Sequence, residues 1–494
     1  MTVSGAGTGA GSDFLQLDAT SVPTRGLTTW LTGALRTAII DGRLATGTRL
    51  PATRTFAGDL GVARGVVVEA YQRLGDEGLL EARTRVGTLV MPLTAAPARR
   101  PRTTRRADDP VQTDTVPRLP VPTSRRPASG ELDLSPGVPD LTAFPRAAWL
   151  RAERAVLNQL TATDLGYGDP RGNAALRTEL AAWLARTRGV RAAPDDIIIV
   201  AGVAQSLALL AQTLRAGGAT AIAVEDPGSR GARDELTHWG LQSVPITVDW
   251  QGLQVDDLAR SGLATVLVTP AHQFPTGVVL SPPRRRGLLE WAGSGGLVIE
   301  DDYDAEHRYD RVPVPALQAS APDHVAHTGS TSKTLAPGMR LGWLVPPRHL
   351  HTDLVAAKHA SDLGSPILPQ LVLAHLLASG AYDRHLRLVR TRQRRRRDAM
   401  LAALALHLPH AHVQGVAAGL HLLITLPDLP DDLDDTDLAE AARHAGVLVH
   451  PLSWHRQRPG PPGLILGYAA HPPDRLHDAV QRLATTLART SHRT

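Results

Sequence analysis

The chain of 494 residues is too long for one ordinary domain, and its 43% hydrophobic content supports cores of ample size. The absence of cysteine excludes disulfides and thiolate metal sites, and no metal site is expected. A net charge of +5 is a mild hint of an anionic partner.

No apolar run approaches the ~20 residues of a membrane span. The N-terminus lacks the basic-then-apolar order of a secretory signal, so a cytoplasmic protein without a membrane role is expected. The first residues are rich in Gly, Ala, Thr and Ser, and 1–24 read as a disordered tail.

From Thr28 the pattern turns helical, with Leu31, Leu35, Ala38 and Ile39 on one face and Gly42 at its end. A turn-rich connector leads to a short helix over 53–60, which places Phe56, Ala57 and Leu60 inward. Gly61 turns the chain into a third helix over 63–77, apolar along Val67, Ala70, Tyr71 and Leu74. Two short strands, 79–82 and 88–91, flank a tip at 83–87. Three helices and a hairpin predict a winged helix-turn-helix over 25–92, with the third helix in the major groove of DNA. Arg54 opens the second helix, Arg64 with Gly65 opens the third, and Arg83, Arg85 and Gly87 form the wing. The arginines can reach phosphates, and Arg64 is placed to reach a base edge.

The run GRLATGTRLPATRTFAGDLGVARGVVVEAYQRLGDEGLLEARTRVGT resembles the DNA-binding domain of the GntR family of bacterial regulators. That resemblance implies a double-stranded operator as partner and contacts from Arg54, Arg64 and Gly87. Ala63, Gly65 and Val66 stand where the family commonly has hydroxyl or amide residues.

The next stretch, 92–130, carries eight arginines against three aspartates, is rich in Pro and Thr, and shows no periodicity. A linker over 93–130 is expected. Beyond it, short apolar runs at 197–200, 220–224, 265–268 and 296–299 alternate with helical patterns. They predict a mostly parallel sheet covered by helices over 131–494, with a smaller α/β domain from about Asp383. Arg392–Arg397 read as a solvated or interface face of a long helix, and the acidic run 431–437 as a loop capping the next one.

Ligands of such sheets bind in loops after strand C-termini, where the chemistry-bearing residues fall. The chain has only two lysines, Lys333 and Lys358. An amine can form a Schiff base with an aldehyde and a guanidinium cannot, so a lysine kept at 333 suggests chemistry that arginine cannot perform. Ser330, Ser332 and Arg340 around it suit a phosphate, as do backbone N–H groups at the helix start AGVAQSL. Asp301 can hold a pyridine nitrogen protonated, and Tyr303 can hydrogen-bond the ring's phenolate oxygen. Together they suit pyridoxal 5′-phosphate (PLP). His272 alone is more often a structural histidine than a catalyst.

The stretches YGDPRGNAALR, AGVAQSL, VEDPG, HQFPTG, IEDDYDAEHRY, GSTSKTLAPGMRLGW and AGLHL resemble the fold-type I aminotransferase domain of the MocR subfamily of GntR regulators. The resemblance implies that Lys333 carries PLP as an aldimine, that Asp301 meets the pyridine nitrogen and Tyr303 the ring oxygen. Ser330, Arg340, Val203 and Ala204 would hold the phosphate. It also implies a homodimer whose DNA binding responds to PLP or an amino-compound effector. Three positions depart from the usual pattern. Ser229 stands where relatives carry a ring-stacking aromatic, Phe274 where aminotransferases have Asn, and Ile465 where many have a carboxylate-binding Arg. Arg456 or Arg458 lie near enough in sequence to substitute. A regulator with a catalytically retired effector domain is therefore expected, not an efficient enzyme. The alternatives are a working aminotransferase with an appended DNA-binding domain, and a large domain that only dimerises.

Overall fold

The computed structural model describes residues 26–83, 86–92, 130–310, 314–427 and 434–491, with isolated positions before 26. The expected tail and linker, apart from isolated positions and Gly130, lie outside the described residues, as does Arg85. Two compact units divide the chain: Met1–Ala98 with Ser281–Ser294, and Arg99–Leu280 with Gly295–Thr494.

The first unit holds helices α1 (Leu27–Ile40), α2 (Thr53–Asp59) and α3 (Arg64–Asp76). Its antiparallel sheet runs β1-β3-β2, with β1 at Arg49–Leu50, β2 at Leu80–Arg83 and β3 at Gly87–Val90. The apolar faces read from the spacing all turn inward, and Leu31, Leu35, Phe56, Val67 and Leu74 share one core. Tyr71 packs 6.2 Å from the Phe56 ring and donates to the Pro51 carbonyl at 2.9 Å. Arg36 ties α1 to the end of α3, donating twice to Glu77 at 2.6 and 2.7 Å. This is a winged helix-turn-helix. Strand β1 lies in the segment read as a turn-rich connector; two residues carry no periodicity, and the strand exists through its pairing with β3.

After Gly130 come β4 (Leu132–Asp133), α4 (Arg146–Leu157), α5 (Ala174–Arg188), β5 (Ile198–Val200), α6 (Val203–Ala216) and β6 (Ala221–Asp226). They are followed by α7 (Arg230–His238), β7 (Gln242–Asp249), β8 (Gly252–Leu253), α8 (Val255–Arg260), β9 (Thr265–Val268) and α9 (Pro282–Gly293). Next are β10 (Leu297–Asp301), β11 (Val325–Ser330), β12 (Gly342–Val345), α10 (Arg348–Asp362), α11 (Ile367–Ala378) and α12 (Ala381–His407). The last are β13 (His412–Gln414), β14 (His421–Thr425), α13 (Asp435–His444), β15 (Val447–Leu448), β16 (His450–Pro451), β17 (Leu464–Gly467) and α14 (Pro473–Ser491).

The large sheet has eight strands in the order β5-β12-β11-β10-β9-β6-β7-β8. Strands β11, β10, β9, β6 and β7 are parallel, while β12 runs antiparallel between β11 and β5. Strands β5 and β9 are buried along their whole length, which explains why they read as continuous apolar runs. Helix α5 is bounded by an Asn173 cap accepting from Ala175 N and by Gly189 in the left-handed conformation.

The small domain is built on the antiparallel sheet β13-β14-β17-β16. It also takes β4, which pairs in parallel with β15 and sends Leu132 and Leu134 into the core with Met400, Leu422 and Leu466. The small domain thus begins earlier than the expected boundary near Asp383, because a short edge strand from the start of the region completes it. Asp434 caps α13, accepting from Thr436 N and Asp437 N, as the acidic run predicts. The arginine run of α12 is only partly a free face. Arg392 and Arg396 both pair with buried Asp140, while Arg394 and Arg395 are exposed. Among the described residues, no helix is long and apolar enough to cross a membrane.

Candidate functional site

A cavity of about 370 Å³ opens beyond the C-terminal ends of β10 and β11, and Lys333, Asp301, Tyr303, Ser330, Arg340, Val203 and Ala204 all line it. The Lys333 amine follows β11 and donates to the Gly137 carbonyl at 2.6 Å. Burial pushes this amine below its usual pKa, against the opposing pull of the Asp304 and Asp301 carboxylates. A lowered pKa leaves more of the neutral, nucleophilic form. The other lysine, Lys358, is buried and bonded to Asp362 and Ser365.

Asp301 closes β10, and its Oδ1 is buried without a hydrogen-bond partner among the described residues. Burial, reinforced by the charges of Asp302 and Asp304, raises its carboxyl to about 7. A cationic N–H donor would relieve that penalty. Gly202 (φ 100°) precedes α6, whose N-terminus has no side-chain cap and whose first residues Val203 and Ala204 line the cavity. A Cβ on Gly202 would lie 3.3 Å from Arg340 Nη1, so the glycine gives the guanidinium room beside a helix N-terminus. A helix N-terminus, a guanidinium and the Ser330 hydroxyl form a cradle for an oxyanion.

In the first unit, Arg54 is the second residue of α2 and Arg64 the first of α3; both are exposed and without ion pairs among the described residues. Gly65 is exposed beside Arg64. Arg83 instead pairs with Glu81 on its own strand at 3.1 Å. Gly87 (φ 109°) has a structural reason for being glycine, since a Cβ there would meet Arg49 Nε at 2.8 Å.

Residues 29–90 match the family of bacterial regulatory proteins named gntR, and 130–483 match aminotransferase class I and II. The HTH-type pyridoxine biosynthesis transcriptional regulator PdxR of Corynebacterium glutamicum is 32% identical, with 95% of this chain and 97% of that protein covered. The probable rhizopine catabolism regulatory protein MocR of Rhizobium meliloti is 32% identical over 92% of each. The chain belongs to the MocR subfamily of GntR-family regulators.

Solved aminotransferases share the effector fold of this MocR-type regulator. A multiple substrate aminotransferase from Thermococcus profundus superposes with TM-score 0.68 at 27% identity, covering 74% of this chain and 93% of its own. An α-aminoadipate aminotransferase from Thermus thermophilus, complexed with N-(5′-phosphopyridoxyl)-L-leucine, gives 0.67 at 26% identity, covering 74% and 94%. The chain is thus a transcriptional regulator with a GntR-type DNA-binding domain and an effector domain in a fold that is generally PLP-dependent.

The three departures have distinct structural fates. Ser229 lines the cavity and caps α7, accepting from Ala232 N at 3.3 Å. Phe274 also lines it, edge-on to Tyr303 at 6.3 Å. Ile465 is fully buried in β17, packed with Leu423 and Leu452. Both nearby arginines make hydrogen bonds to other groups. Arg458 donates to Thr247 Oγ1 and the Pro245 carbonyl, and Arg456 to the Pro461 carbonyl.

Two contributors escaped the sequence reading. Gly137 offers only a carbonyl, which no side-chain pattern reveals. His272, expected as a structural histidine, is buried with its Nδ1 2.8 Å from Asp304 Oδ2 and 3.1 Å from the Tyr303 hydroxyl. The HQFPTG stretch marked its neighbourhood, but nothing marked the pairing.

Proposed function

We propose that this regulator attaches PLP through Lys333, and that PLP or an amino compound reacting there changes operator binding by a homodimer. The observation that carries the reading is the buried Oδ1 of Asp301, unpartnered among the described residues, in the same cavity as the Lys333 amine. When bound, PLP supplies an aldehyde that a neutral amine can attack and a pyridine ring that draws electrons. Lys333 offers the amine, Asp301 accepts from the ring nitrogen, and Tyr303 donates to the ring oxygen. Val203, Ala204, Ser330 and Arg340 hold the phosphate.

On the DNA side, Arg64 and Gly65 enter the major groove at the start of α3, Arg54 holds a phosphate, and Arg83, Arg85 and Gly87 follow the backbone from the wing. Homodimerisation is supported by a concentration of exposed apolar side chains on and after α4, namely Leu150, Leu157, Leu165 and Tyr167, the last 93% exposed. Pairing two chains sets two winged helices on two half-sites, and a ligand that favours one arrangement changes affinity only by its differential binding. Efficient amino-acid transfer is disfavoured by buried Ile465 and by the engagement of Arg456 and Arg458 elsewhere.

The test is operator binding with and without PLP, wild type beside Lys333→Ala. A visible absorption band and a PLP-dependent change in affinity, both lost in the variant, support the reading. A featureless spectrum with excess PLP would sink it, and rapid multiple-turnover transfer to a keto acid would return the effector domain to enzyme status.

A further inference from the structure

The His272–Asp304 pair lies behind Tyr303 and is enclosed on every side. Its Nδ1 reaches both Asp304 and the phenol, while its ring packs 5.3 Å from that of His421 on β14. Glycines fill the remaining approaches. A Cβ on Gly277 would lie 3.3 Å from His272 Nε2. At Gly419 the space is absent altogether: a Cβ would fall 2.0 Å from His272 Cε1, 2.5 Å from Nδ1 and 2.8 Å from Asp304 Oδ2.

Gly419 cannot readily retreat. Its N–H donates to the His307 carbonyl at 2.9 Å, and its own carbonyl accepts from the Tyr309 and Tyr468 hydroxyls, each at 2.6 Å. It also holds a φ of 76°, which a residue with a side chain adopts at a cost.

We infer that His272 and Asp304 are positioning residues that hold the Tyr303 phenol for the ring oxygen of the cofactor, and that Gly419 is the surface against which they are held. The inference rests on the proposed PLP site. The electrostatics agree with it. Burial raises Asp304, but His272 and the smaller pulls of His421 and His307 together keep the carboxyl below its usual range. Burial lowers His421 to about 3 and His307 to about 4. Other titratable groups facing the pair are Asp301, Glu306, Tyr309, Tyr468 and the Lys333 amine. Burial and the Asp304 charge push the Tyr303 phenol well above its ordinary value, so it stays a donor.

The experiment is a pH titration of the visible band of the PLP-loaded protein. Tyr303→Phe, which loses the donor, is expected to raise the midpoint by about 1 unit, since a ring oxygen without that donor holds the neighbouring proton more tightly. Gly419→Ala changes no charge, yet it is expected to move the midpoint in the same direction by ~0.5 unit or more. Adding it to Tyr303→Phe should produce no further shift. Should Gly419→Ala fail to fold, His272→Asn is measured in its place with the same expectations. A wild-type midpoint in these variants, or shifts additive with Tyr303→Phe, overturns the inference while the PLP site stands. No band in the wild type overturns both.

Discussion

The Lys333 amine donates to a carbonyl 196 residues earlier in the chain, that of Gly137, at 2.6 Å. Gly137 has a φ of 82°, and a Cβ there would lie 3.0 Å from Nζ. Gly137→Ala should therefore displace the amine as well as strain the backbone by about 1–2 kcal/mol. The expected outcome is PLP affinity weakened about tenfold, or ~1.4 kcal/mol, in an absorbance titration. An unchanged Kd would mean that the amine is not held by this contact.

Asp301 makes a pH prediction for the cofactor-free protein. In the unfolded chain its carboxyl ionises near 3.8, but in the folded protein burial holds the proton to about 7. Between those values the unfolded state releases a proton that the folded state keeps. The group's contribution to stability therefore declines as pH rises from 4 to 7 and is level above. Asp301→Asn removes the decline, so its urea midpoint relative to wild type should climb across that window, then flatten. A pH-independent difference would contradict the raised carboxyl.

Next to it, Asp302 is held by Arg188, with Nε to Oδ2 at 2.6 Å and Nη2 to Oδ1 at 2.9 Å, both groups buried. Arg188 also donates to the Val314 carbonyl at 2.5 Å. Arg188→Ala leaves a buried carboxylate without its cation and should cost ~3–5 kcal/mol. Chemical denaturation measures this, and a loss below about 1 kcal/mol would mean that water or another group replaces the guanidinium.

For DNA, the structure separates two arginines that look alike in sequence. Arg64 is unpaired among the described residues, whereas Arg83 is already matched by Glu81. Arg64→Ala should weaken specific operator binding by ~1–3 kcal/mol, and Arg83→Ala by less than about 1 kcal/mol. Fluorescence anisotropy at several salt concentrations checks both, and the reverse ranking would move the specificity to the wing.

Much of the fold was legible because the burial pattern has a period. Val67, Ala70, Tyr71 and Leu74 recur at helical spacing and all face the core of the first unit. Asp301, Ser330 and Lys333 were legible because strand-then-loop order puts them on one side of a parallel sheet. Contributions made through backbone or across long separations were not. Gly137 gives a carbonyl, β1 and β4 are too short to show alternation, and the His272–Asp304 bond joins residues 32 positions apart. Arg392 and Arg396 looked like surface charge because nothing in their own helix announces Asp140, to which both reach.

The parallel pairing of β4 with β15 has an architectural consequence. From Gly130 the backbone passes within two residues into an edge strand of the small domain, so the start of the effector region is anchored there before the chain reaches the eight-stranded sheet. A rotation of the small domain carries that anchor with it. An effector fragment cut after Leu134 would lose the anchor and two fully buried leucines together, leaving a small domain with an open seam along β15.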